Sequence, residues 1–150
     1  MNASDIMTKK VLTVDPQLEI HKLADFFVKN NISGAPVVSV GKVQGVVLED
    51  DLIVRDRKVH LPTFIFVLSG VFQFGEKKLE DEMKKIAAST TSEIMRKNFT
   101  RITPGASVED IASLVIDKGV NYFLVMEKEE LLGVITKKDL VKAISEKKIF

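Results

Sequence analysis

Apolar and polar positions along this chain fall into two blocks that follow the same order. In the first, Val11 to Val14 is a short extended run that predicts a strand and stops at Asp15-Pro16. Proline fixes its own φ and biases the residue before it away from helix. Ile20, Leu23, Ala24, Phe27 and Val28 then recur at spacings of three and four, which predicts a helix with one apolar face. Asn30-Asn31 breaks that helix, because short polar side chains compete for backbone bonds. Ala35 to Val40 is a continuous apolar strand with Pro36 inside it, so an edge or strand-start position is expected. A tight turn at Gly41-Lys42 leads into a second strand, Val43 to Leu48, completing a hairpin. Glu49-Asp50-Asp51 opens a helix, where acidic residues suit the helix dipole.

The second block reads alike. It predicts a strand to Ile102, a helix from Ser107 to Asp117 and a break at Lys118-Gly119. A strand from Tyr122 to Met126, a turn from Glu127 to Glu130 and a strand from Leu131 to Thr136 follow. A last helix starts near Lys138, and Ser107 with Asp110 suggests a capping box. The correspondence holds residue by residue. Asp5-Ile6-Met7 returns as Glu93-Ile94-Met95, Val14-Asp15-Pro16 as Ile102-Thr103-Pro104, Gly45-Val46-Val47 as Gly133-Val134-Ile135, and Asp51-Leu52 as Asp139-Leu140. Positions 5 and 93 are 88 apart, and every pair keeps that offset. Two copies are too few for a solenoid. They predict a pseudo-symmetric pair with a shared interface, where ligands tend to sit. A repeat of about 50 residues is marginal alone, so the copies should need each other.

The expected organisation is residues 1–55 as the first unit, 56–92 as a connection and 93–150 as the second unit. The connection carries an apolar run, Leu61 to Phe74, then a charged helix, Glu76 to Ser89, with Leu79, Met83, Ile86 and Ala87 on one face. The apolar run, about 14 residues with Pro62 and Gly70 inside, is too short to span a bilayer. It reads as packing on the core or at a homodimer interface, not as membrane contact.

Composition narrows the function. The 22 basic and 21 acidic residues leave a net charge of +1, so no global basic field recruits nucleic acid. Cysteine is absent, which excludes disulfides and thiol chemistry. The N-terminus lacks an apolar signal core, and a cytoplasmic location is expected. The two histidines, His21 and His60, have no metal-ligand spacing, and there is no P-loop, GxGxxG or serine elbow. The Glu49-Asp50-Asp51 cluster has no partner base or nucleophile, so the reading is not an enzyme.

The positive signal is the strand-to-helix corner. Gly133-Val134-Ile135-Thr136-Lys137-Lys138-Asp139 puts a hydroxyl at a strand end and a carboxylate one turn into a helix. Free N–H groups and the positive dipole end there suit a phosphate. An ionised aspartate accepts hydrogen bonds from a vicinal diol. Lys137, Lys138 and Arg55 are the candidate phosphate partners. In the first copy Asp51 matches Asp139, but Leu48 stands where the hydroxyl should be.

These stretches resemble a tandem pair of CBS domains, the family named after cystathionine β-synthase. DIM, VLTVDP, ISGAPVV and GVVLEDDL carry the resemblance in the first copy, and EIM, ITP, NYFLVM and GVITKKDL in the second. It implies an α/β (α+β) fold of two β-α-β-β-α units packed sheet to sheet as a pseudo-two-fold pair. It also implies clefts for AMP, ADP, ATP or S-adenosylmethionine, with no required cofactor, and frequent dimerisation. By the same resemblance Asp139 holds a ribose with Thr136 as the hydroxyl. Purine contacts fall on Thr13, Ser33, Gly34 and Ala35 in one copy and on Arg101, Asn121, Tyr122 and Phe123 in the other. Tyr122 replaces a small residue and Leu124 a proline, so Tyr122 either stacks on adenine or fills the cleft as packing. The implied function is a regulatory sensor acting on a separate effector protein. The alternative is a ligand-free structural or oligomerisation module, favoured by Leu48, Tyr122 and Leu124.

Overall fold

The computed structural model describes residues 1–53 and 89–146. The apolar run Leu61 to Phe74, the charged run from Glu76 to residue 88 and Arg55 lie outside the described residues.

The described elements are α1 (Ala3–Ile6), α2 (Ile20–Asn30), β1 (Gly34–Ser39), β2 (Lys42–Leu48), α3 (Glu49–Ile53), α4 (Thr91–Ile94), β3 (Thr100–Ile102), α5 (Val108–Lys118), β4 (Tyr122–Glu127), β5 (Glu130–Thr136) and α6 (Lys137–Ser145). The fold is α+β, with helices and two antiparallel hairpins in matching places. Local chemistry sets the helix ends. Asn31, at φ 51, closes α2 in the left-handed conformation, and Gly119, at φ 66, closes α5 in the same way. Ser107 caps α5 by accepting the Asp110 N–H at 3.1 Å. The turn of the first hairpin falls one residue earlier than expected, with positive φ at Val40 and Gly41.

The hairpins share even their irregularity. The register of β1 with β2 shifts between Val37 and Val38, leaving Gln44 unpaired. The register of β4 with β5 shifts between Val125 and Met126, leaving Leu132 unpaired at the same repeat position. Such bulges raise local twist.

The expected strand from Val11 to Val14 does not form as a strand. It is reduced to one parallel bridge, Val14 with Val37, in which Val14 N–H donates to the Pro36 carbonyl. Pro36 has no N–H to extend that ladder. Leu124 occupies the same position in the second copy and has one, and there β3 pairs with β4 over three residues, Thr100 to Ile102. The expectation for Pro36 was incomplete as well. Pro36 is fully buried mid-strand, and its missing donor faces the side where the ladder stays short.

Two short helices, α1 and α4, were not anticipated. Each begins with a capping box, Asn2 with Asp5 and Thr90 with Glu93. Both pack on the opposite copy. Ala3 N–H donates to Ala106 O and Ser4 N–H to Pro104 O, while Thr91 N–H donates to Leu18 O and Ser92 N–H to Pro16 O. The next residues extend the opposite sheets: Thr8 bridges Val134 in β5, and Arg96 bridges Val46 in β2. Gly133 and Gly45 permit these approaches. A Cβ on Gly133 would lie 2.9 Å from Thr8 O, and one on Gly45 2.7 Å from Arg96 O.

Among the described residues three apolar cores result. Ala3, Ile6, Val108, Ile111, Phe123, Val125, Ile135 and Ala143 form that of the second copy, to which the first copy lends α1. Val14, Leu23, Phe27, Ala35, Val37 and Val47 form that of the first, with Ile94 and Met95 packed against it. Between the copies lie Val46, Tyr122, Leu124, Met126 and Val134. The middle core joins the two sheets, and a cleft opens beside it.

Candidate functional site

The Thr136–Asp139 corner is built by the start of α6. The Thr136 N–H donates to Asp139 Oδ2 at 2.7 Å, and the Thr136 hydroxyl donates to the same oxygen at 3.0 Å. Asp139 Oδ1 accepts from the Thr8 hydroxyl at 2.8 Å. Asp139 is therefore a helix cap and the anchor of the crossing segment from the first copy. The carboxylate is fixed in orientation before any ligand arrives.

This corner opens on a cleft of about 520 Å³ between the copies. Thr8, Lys10, Val11 and Leu12 form one wall, and Asn31, Ile32, Ser33, Gly34 and Glu49 another. Asn121, Tyr122 and Val134 with Thr136, Lys137, Lys138 and Asp139 complete it. Lys10, Lys137 and Lys138 are exposed and outnumber the carboxylates of Glu49 and Asp139. The space has one apolar side, a fixed carboxylate, a helix N-terminus and exposed cations. That set suits a molecule with a flat ring, hydroxyls and anionic groups.

Tyr122 borders the cleft but belongs mainly to the middle core, at 8% exposure. Burial, and secondarily the Asp139 charge, hold its phenol well above the ordinary value near 10. It stays a neutral hydroxyl through the physiological range.

The cleft thus gathers eight of the expected residues: Ser33, Gly34, Asn121, Tyr122, Thr136, Lys137, Lys138 and Asp139. Ser33 and Gly34 come from the first copy, yet they line the same cleft as Asp139 of the second. Five described residues among those expected stand outside its lining, Asp51 at the other corner being one. Phe123 and Ala35 are fully buried, one in each repeat's own core, since alternate strand residues point to opposite faces. Thr13 is exposed. Arg101 is also exposed, with its guanidinium 5.1 Å from the Phe99 ring and 3.9 Å from Glu129. Sequence reasoning missed Thr8, Lys10, Asn31 and Ile32. Their only signal was the repeat offset, which pairs Thr8 with Arg96.

The first copy's corner is built differently. Asp51 Oδ2 accepts the Leu48 N–H at 2.8 Å, and Oδ1 accepts from Arg96 Nε at 2.7 Å. Its side chain is 12% exposed and forms an ion pair with Arg96. Among the described residues no group of three His, Cys, Asp or Glu side chains is placed to hold a metal ion. No described helix is long and apolar enough to cross a membrane.

A pair of α+β units with exchanged opening helices and a polar cleft between them defines a class of tandem-repeat modules. The family model of the CBS domain matches residues 3–57 and again 92–146, and the chain belongs to that family. It is 25% identical over 154 residues to an uncharacterized protein of Methanocaldococcus jannaschii, MJ1426, covering 96% of this chain and 91% of that one. Three further relatives from that organism are longer, and the chain spans 40 to 45% of their length. Two solved structures superpose at TM-score 0.70 with 18% identity, each covering 98% of both chains. One is the CBS domain pair of protein MJ0100 with 5'-methylthioadenosine and S-adenosyl-L-methionine, and the other is CBSX2 with AMP.

Proposed function

We propose that this chain is a regulatory module that binds an adenosine-containing ligand in the Asp139 cleft and signals to a separate effector protein. The observation that carries the reading is the convergence of Asp139, Thr136 and three lysines on one cleft between the copies. Asp139 holds the ribose hydroxyls, exchanging Thr8 for the ligand. Thr136, the start of α6 and the lysines hold phosphate, and the apolar wall beside Ile32 and Tyr122 takes the purine. AMP, ADP and ATP fit the lysines better than S-adenosylmethionine, whose sulfonium and amino groups are cationic. The fold relatives solved with AMP and with S-adenosyl-L-methionine support the adenosine part of the reading.

The mechanism is a population shift. A ligand that touches both copies binds unequally to different arrangements of the pair and favours one of them. The cleft meets that condition, since Thr8, Lys10 and Ser33 come from one copy and Asn121, Thr136 and Asp139 from the other. The hydroxyls of Thr8 and Thr136 serve to hold Asp139 in place, and a bound nucleotide is expected to leave unchanged. The module is read as a cytoplasmic homodimer, with Leu61 to Phe74 as its interface, and as binding neither nucleic acid nor membrane.

A thermal-shift screen with AMP, ADP, ATP and S-adenosylmethionine tests the reading. A ligand present at 100 times its Kd stabilises by about 2.7 kcal/mol. A melting temperature that rises with AMP or ATP supports the sensor. No response to any of the four would instead favour the ligand-free structural module.

A further inference from the structure

The two corners carry the same aspartate but opposite surroundings. Thr136 is matched by Leu48, Lys137-Lys138 by Glu49-Asp50, and Thr8 by Arg96. We propose that Arg96 is the built-in occupant of the Asp51 corner, so that the chain takes one phosphate-bearing ligand, at the Asp139 corner only. This rests on the adenosine-binding reading above and adds its stoichiometry and the residue that sets it.

Both Asp51 oxygens are engaged, one by the Leu48 N–H and the other by the Arg96 guanidinium at 2.7 Å. The second bond is charge-assisted, and such bonds are roughly twice as strong as neutral ones. A ribose hydroxyl would have to displace it and leave a cation unpaired beside a carboxylate that is 12% exposed. Asp50 then presents a carboxylate where the other corner presents Lys138, and a phosphate meets repulsion. Leu48 packs against the middle core and offers a phosphate no hydroxyl. At the Asp139 corner the same place is held by Thr8, whose neutral hydroxyl yields to a ribose hydroxyl of equal hydrogen-bonding capacity. Arg96 is held there by backbone as well as by charge, since its N–H and carbonyl both pair with Val46. It is a fixed arm of the second copy reaching into the first.

Calorimetric titration of the full chain with ATP tests this on three proteins: wild type, Arg96→Thr combined with L48T and D50K, and Thr8→Arg alone. The expected stoichiometry is one ATP per chain for wild type and two for the combined variant. Thr8→Arg is expected to weaken ATP binding about tenfold or more, by pairing an arginine with Asp139. This arm is decisive even if the combined variant does not fold. An arginine that merely adds positive charge would tighten ATP binding, and that result overturns the proposal. Two ATP per wild-type chain, or one per folded combined variant, overturns it as well. A wild type that binds no ATP sinks the functional reading instead. In that case a combined variant that gains a site supports the role of Arg96, and one that gains none refutes it.

Discussion

The Tyr122 ring lies over Gly34, the residue that occupies its own position in the other repeat. A Cβ on Gly34 would stand 3.0 Å from the ring and 2.6 Å from Leu48 Cδ2. The pair has broken its symmetry in complementary volumes: one copy has the large Tyr122 with the small Thr136, the other the small Gly34 with the large Leu48. Gly34→Ala should therefore overpack the middle core and destabilise by about 1–3 kcal/mol. Urea unfolding of G34A beside G34A/L48A checks it. Measured against an L48A parent, the cost of G34A should shrink, because the nearer clash is with Leu48. An equal cost in both backgrounds would place the strain elsewhere.

Gly133→Ala faces a harder obstacle. Its Cβ would lie 2.9 Å from the Thr8 carbonyl, which is backbone, as well as 2.6 Å from Met7 Sδ. The methionine can rotate away, but the Thr8–Val134 bridge cannot remain as it is. A loss of roughly 2–3 kcal/mol is expected, with faster hydrogen exchange at the Thr8 and Val134 amides, which pair with each other. Exchange at wild-type rates would mean that the crossing segment does not depend on this glycine.

Val40 is a β-branched residue at φ 52 and 96% exposed. The left-handed conformation costs such a residue roughly 1–2 kcal/mol, and Asn tolerates it. Val40→Asn should raise stability by about 1 kcal/mol, read as a higher melting temperature. A decrease would show that Val40 makes a contact in the folded protein.

Tyr122 is the sole tyrosine, and tryptophan is absent, so tyrosinate absorbance reports on one residue. Its folded pKa is raised by burial and by Asp139, so the fold retains a proton that the unfolded chain releases near pH 10. The unfolded state then binds fewer protons, so stability is intact below about pH 10 and falls as pH rises further. Tyrosinate should appear only together with loss of the circular dichroism of the fold. A simple titration near pH 10 in folded protein would contradict the buried placement.

The periodic elements were legible from the chain because each obeys one local rule. The alternation of Ile20, Leu23 and Phe27 gives α2, and Ser107 and Gly119 mark the ends of α5. The constant offset revealed the pairing of copies. Three things were not legible. The Val11–Val14 strand failed because its formation depends on a donor that Pro36, more than twenty positions later, lacks. The exchange of α1 and α4 is a tertiary choice, although the capping boxes at Asn2 and Thr90 were visible signals. The cleft residues Thr8 and Lys10 come to Asp139 through that exchange, and no local pattern places them there. The Phe123 side chain lies outside the cleft for a simpler reason, since strand alternation sends it to the face opposite Tyr122.

The central claim is that the Asp139 corner, and not the Asp51 corner, receives the adenosine ligand. Calorimetric titration of AMP and ATP into wild type, Asp139→Ala and Asp51→Ala, at a temperature where all three are folded, tests it most directly. Asp139→Ala should weaken binding by about 1–3 kcal/mol, the cost of leaving ligand hydroxyls unpaired, which is roughly 5- to 150-fold in Kd. Asp51→Ala should leave the affinity near that of wild type. Loss of binding in Asp51→Ala with full affinity in Asp139→Ala would contradict the account.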